Sequence, residues 1–95
     1  MTLLDDIGQP DLGLVTEVRS GRAEAFAELY RRHQPAVLRY ALAMTRGDEA
    51  RAQDLVSEAF VRVFDAVSAG RGSEVAFRPY VLAAFRNEYV TELRR

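Results

Sequence analysis

The apolar positions of this chain recur at helical steps, most regularly in Ala50–Val67. There Ala52, Leu55, Val56, Ala59, Phe60, Val63, Phe64 and Val67 fall three or four residues apart, which puts them on one face of a helix. Arg51, Asp54, Ser57, Glu58 and Asp65 take the other face, with Arg62 at the edge. So wide an apolar stripe cannot be left in water, and it predicts a core helix around which the rest of the chain wraps.

The flanking pattern predicts the remaining elements. Met1–Gly13 combines Asp5, Asp6 and Asp11 with Gly8, Pro10 and Gly13 and keeps no period; it reads as an acidic flexible tail that tightens into a helix near Asp11. Leu14–Arg19 reads as a short helical turn stopped by Ser20-Gly21. Arg22–His33 restarts the helix with Phe26, Leu29 and Tyr30 inward. Pro35 cannot donate to the preceding turn, so it either kinks that helix or opens a new one. Ala36–Thr45 continues with Val37, Leu38, Ala41, Leu42 and Met44 as packing residues. Gly47-Asp48 is a stop followed by a start, with Asp48 the expected N-cap of the core helix. Ser68–Ser73 is rich in small residues and forms the interior loop, and Ser73 is a cap for a last helix that runs from about Val75 to the end. Pro79 falls early enough in that helix to be tolerated. Neither strand alternation nor repeats occur, so the expected fold is all-α: a compact bundle of about four helices in one domain, residues 14–95.

Composition narrows the chemistry. Among 95 residues there is no cysteine, which excludes disulfides and thiolate metal sites. His33 is the single histidine, and Ala27–His33 lacks the Glu-x-x-His spacing of helical di-metal sites. Ser57 has no base in evident reach, so catalysis is not expected, and neither a metal nor a cofactor is called for. Met1–Pro10 has no basic start or long apolar run, and no window reaches the length of a membrane span. These features predict a cytoplasmic protein without membrane insertion.

The formal charge of −1 is unevenly distributed. Three acids and no basic residue occupy the first thirteen positions; removing those three charges from −1 leaves +2 for Leu14–Arg95. All thirteen basic residues are arginine, a planar multi-donor group suited to phosphate and base edges, although a GC-rich coding bias produces the same composition. On a helix over Phe77–Arg95, Val81, Leu82, Phe85, Tyr89 and Leu93 gather on a core face. Roughly opposite lie Tyr80, Asn87, Thr91 and Arg94, with Ala83 and Ala84 between. Such a strip can stack a base, bond its edge and meet phosphate, with Arg78, Arg86 and Arg95 around it; an ordinary solvated helix face has the same makeup.

Three stretches then resemble one family: Ala25-Phe26-Ala27-Glu28-Leu29-Tyr30-Arg31-Arg32-His33, Asp54-Leu55-Val56-Ser57-Glu58-Ala59-Phe60, and Phe77-Arg78-Pro79-Tyr80 through Arg86-Asn87 to Leu93-Arg94-Arg95. Their order and spacing are similar to the second domain of bacterial sigma factors of the extracytoplasmic-function group, over about Leu14 to Arg95. By that resemblance Gln53, Asp54, Ser57 and Glu58 dock on the coiled-coil clamp helices of the largest subunit of core RNA polymerase. Asp54 and Glu58 are like charges one turn apart, which a basic partner turns into complementarity. The loop matching Ala66–Val75 captures a flipped base of the promoter −10 element, with Arg71 at its phosphate. The last helix lies along the non-template strand, with Tyr80, Arg86, Asn87, Thr91, Arg94 and Arg95 facing DNA. Melting is then the capture of unstacked bases. The resemblance also implies an anti-sigma partner.

Some positions depart from the family pattern. Tyr80 stands where tryptophan is frequent, Ser57 replaces a glutamine, Thr91 an aspartate, and Glu88 adds a negative charge near the DNA face. The family's second DNA-binding domain, a helix-turn-helix for the −35 element, has no counterpart before the chain stops at Arg95, which suggests a piece of a longer sigma factor. The alternative is a helical protein-interaction module without DNA binding of its own.

Overall fold

The computed structural model describes residues 10–72 and 76–95. Among the described residues there are four helices: α1 Asp11–Arg19, α2 Ala25–Met44, α3 Glu49–Ser68 and α4 Phe77–Leu93. The expected all-α bundle is the observed one. The amphipathic stripe of α3 explains the arrangement, since α3 packs against each of α1, α2 and α4. Ala52, Leu55, Val56, Ala59, Phe60, Val63, Ala66 and Val67 are buried along it. Val15 of α1, Leu29 and Val37 of α2, and Phe77, Val81 and Phe85 of α4 close over that stripe. Phe26 bridges the layers by edge-on contact with Phe60, Phe64 and Phe77, the closest ring centroids being 5.1 Å apart.

The helix ends follow their local chemistry. Asp48 caps α3, its Oδ1 accepting from the Arg51 N–H at 3.2 Å. After α3, Gly70 takes a left-handed φ of 83°; its N–H donates to the Val67 carbonyl and that of Arg71 to the Ala66 carbonyl. These paired bonds satisfy carbonyls that the last turn would otherwise orphan. After α2 the same pattern forms with Arg46, at φ 56°, in the left-handed position. Ser73, the expected cap of α4, lies outside the described residues; the residue preceding α4 is Ala76.

α1 begins at Asp11, where the tail was expected to tighten into a helix, and Asp11 is anchored there: its carboxylate accepts from Arg32 Nη1 at 3.1 Å and meets His33 Nε2 at 2.8 Å. Three expectations are corrected. α2 runs unbroken through Pro35, so His33 is not a helix-end residue but a buried one in mid-helix. Tyr30, expected inward, is 39% exposed, because it stands where the α2–α3 packing opens to solvent; its ring still meets Phe60 edge-on at 4.7 Å. Leu93, expected on the core face, is 58% exposed. The last turn of α4 meets α3 through a Glu92–Arg51 ion pair instead.

Candidate functional site

The outer face of α3 presents Gln53, Asp54, Ser57 and Glu58, all exposed. Their spacing puts the two carboxylates one turn apart on a rigid, capped helix. Two grooves flank this face. One, of about 340 Å³, is polar, and Asp54 and Glu58 share its walls with Arg62, Glu88, Glu92 and Arg95. The other, of about 330 Å³, is lined by Phe26, Tyr30, Ser57, Phe60, Val61 and Phe64. Ser57 thus stands at the border between acidic and apolar surface. The sequence reading missed the apolar half, although Val61, 54% exposed, was a usable signal: it sits off the core stripe with no polar replacement.

On α4, Tyr80 is half-buried and packs against the core. It faces a recess of about 190 Å³ with Arg62, Val63, Ala83, Ala84 and Asn87. The small alanines leave the space, Tyr80 supplies an aromatic wall, and Arg62 and Asn87 supply donors at its rim. The loop backbone closes on the same ring. Gly72, at φ 94°, is so near that a Cβ built there would lie 2.7 Å from Tyr80 Cε2. Only glycine meets both conditions without displacing something.

Of the residues singled out on α4 and the loop, the fold therefore brings Tyr80, Asn87 and the backbone after Arg71 together. Arg71 and Arg86 are exposed beside them. Thr91 lies exposed one turn beyond Asn87 on α4, and Arg94 lies exposed just past the end of that helix. Arg95 is placed differently, against the polar groove that holds Asp54 and Glu58.

Electrostatics alter the reading of one acid on α4. Glu88 is not an open negative charge: its carboxylate is ion-paired with Arg62 Nε, and its side chain is 13% exposed. Glu92 is likewise held by Arg51, and the carboxylate raises the Arg51 guanidinium above its usual range, chiefly by hydrogen bonding. The Arg51 guanidinium lies 5.4 Å from the centre of the Tyr89 ring, and the Tyr89 hydroxyl donates to the Met44 carbonyl at 3.1 Å. These contacts clasp α3, α4 and the end of α2 beneath the polar face. Arg51, Arg62 and Tyr89 escaped the sequence reading of the site because their partners are far away in the chain.

His33 forms a second node. Arg78 Nε donates to its Nδ1 at 3.0 Å, so the proton is on Nε2 and is donated to Asp11. The ring also lies 5.1 Å from that of Phe77. Among the described residues no group of three or more acidic or histidine side chains could hold a metal ion. None of the described helices is long and apolar enough to cross a membrane.

Comparison with curated proteins and with solved structures yields no match. Comparison with protein families matches the sigma-70 region 2 family over residues 29–95, the span that holds α3, α4 and most of α2. With its acidic α3 face and aromatic α4 recess carried on that four-helix frame, the chain belongs to the sigma-70 region 2 family, a non-enzymatic domain of transcription initiation that binds RNA polymerase.

Proposed function

We propose that this chain is the polymerase-docking and −10-recognising domain of a sigma factor of the extracytoplasmic-function group, acting in the cytoplasm. Gln53, Asp54, Ser57 and Glu58 dock on the clamp coiled coil of the largest polymerase subunit. Tyr80, Asn87 and the loop at Arg71 and Gly72 capture a flipped base of the non-template strand, while Arg86, Thr91, Arg94 and Arg95 follow its backbone. The observation that carries this reading is the recess of about 190 Å³ formed by Tyr80, Ala83, Ala84, Asn87 and Arg62. It offers a stacking wall and edge donors without a nucleophile, which suits capture rather than chemistry. Base–aromatic stacking contributes about 1–3 kcal/mol per base, enough to offset the unstacking cost of a few kcal/mol when several contacts act together.

The docking half rests on exposed acids next to an apolar groove. That combination suits a basic amphipathic coiled coil, and an anti-sigma factor that occupied the same face would keep the domain from polymerase. The test has two arms. Binding to the isolated clamp coiled coil is compared between the parent and an Asp54→Arg, Glu58→Arg variant, and binding to single-stranded −10 DNA between the parent and Asn87→Ala. Loss of coil binding by the first variant and of DNA binding by the second is expected, with both variants folded. A parent that binds the coil but no single strand at low salt is an interaction module only.

A further inference from the structure

The loop that follows α3 is fastened by a residue of α1. Arg19, in the last turn of α1, donates from Nη2 to the carbonyl of Arg71 at 2.9 Å and to that of Gly72 at 3.4 Å. Fifty-two and fifty-three positions separate these partners, and α1 lies ahead of the family-matched residues 29–95. The contact lands where backbone position matters most. Gly70 has just turned the chain out of α3, and Gly72 is packed against the Tyr80 ring with no room for a Cβ. A displacement of those two peptides would release the Tyr80 ring, which is itself a wall of the recess.

We propose that Arg19 is a positioning residue for base capture: by holding the Arg71 and Gly72 carbonyls it fixes the loop against Tyr80 and so sets the recess. This rests on the DNA-capturing reading given above. Arg19 acts here through the loop, its Nη2 bonding the two loop carbonyls. Both bonds come from a single nitrogen, so a lysine ammonium of similar reach can replace them, whereas alanine cannot.

The test uses the full chain and single strands of about twelve nucleotides, each with 2-aminopurine at a different position. The parent is expected to bind and to quench the probe at one position, by stacking it on Tyr80. Arg19→Ala is expected to weaken binding about tenfold, a loss comparable to one stacked base, and to abolish that position-specific quenching. Its salt slope and helical content stay those of the parent, and Arg19→Lys restores the quenching. Unchanged affinity and quenching in Arg19→Ala would overturn the proposal. So would a uniform loss at every strand with a shallower salt slope, which marks a phosphate contact. A loss of affinity accompanied by lost helical content would overturn it as well, by making Arg19 a support of the fold alone. A parent that binds none of the strands sinks the DNA-capturing reading itself, and the proposal with it.

Discussion

Glu88 of α4 is neutralised by Arg62 of α3, so the acid that the sequence set near the proposed DNA face is part of the bundle's own clasp. Arg62 is 61% exposed at the side chain and Glu88 only 13%, so the two partners are not equivalent. Removing Arg62 strands a mostly covered carboxylate, whereas removing the charge of Glu88 leaves a solvated guanidinium. Arg62→Ala is therefore expected to destabilise the domain by about 1 kcal/mol in urea unfolding, with Glu88→Gln costing less. The double variant should recover part of the Arg62→Ala loss. Additive losses would show that the pair is uncoupled.

Gly72 predicts a local defect with little global cost. Gly72→Ala has to accommodate both a φ of 94° and a Cβ within 2.7 Å of the Tyr80 ring. The far end of that ring can swing away, so the helices should persist by far-ultraviolet circular dichroism while the Tyr80 ring resonances shift. The backbone strain is worth about 1–2 kcal/mol. Unmoved Tyr80 resonances would mean that the loop gives way instead of the ring.

The end of α2 offers a stabilising change. Arg46 occupies the left-handed position at φ 56°, where a side chain is strained and glycine is not. Arg46→Gly is expected to gain roughly 0.5–1 kcal/mol, seen as a higher thermal midpoint, without altering DNA or polymerase binding. A lowered midpoint would show that the arginine side chain contributes a contact worth more than its strain.

On α2, hydrogen bonds from Arg31 and Arg32 pull the Glu28 carboxyl down from 4.5 to about 2. A depressed folded-state value contributes stability that is present above the unfolded value and lost as pH falls toward the folded one. Between about pH 4.5 and pH 2, thermal midpoints of the parent should therefore fall more steeply than those of Glu28→Gln. A carboxyl titration by NMR that placed Glu28 at its ordinary value would refute this.

The extent of the core helix was readable because its signal is local and periodic. Ala50–Val67 was expected and Glu49–Ser68 is found, with the Asp48 cap in place. That Tyr80 and Asn87 share a stretch of one helix was also legible, since they lie two turns apart, but the approach of Gly72 to the Tyr80 ring was not. Tyr30 and Leu93 were misread because helical periodicity states which face a residue occupies, not whether a neighbouring helix extends far enough to cover it. The pairings of Asp11 with His33, of Arg62 with Glu88 and of Arg19 with the loop depend on contacts across the bundle. No spacing rule within one helix reaches them.

The nine residues of α1 acquire from these contacts a part that their length does not suggest. At one end Asp11 grips His33, which in turn receives Arg78 at the start of α4. At the other end Arg19 grips the chain as it leaves α3. The short helix thus spans the α3–α4 connection like a strut bolted at both abutments, about 14 Å long at 1.5 Å per residue. A version of the domain trimmed to the family-matched span would keep the walls of the polar groove and of the Tyr80 recess but lose both bolts, and Phe26 with them. Its loop would be expected to sample many positions over Tyr80 in place of one.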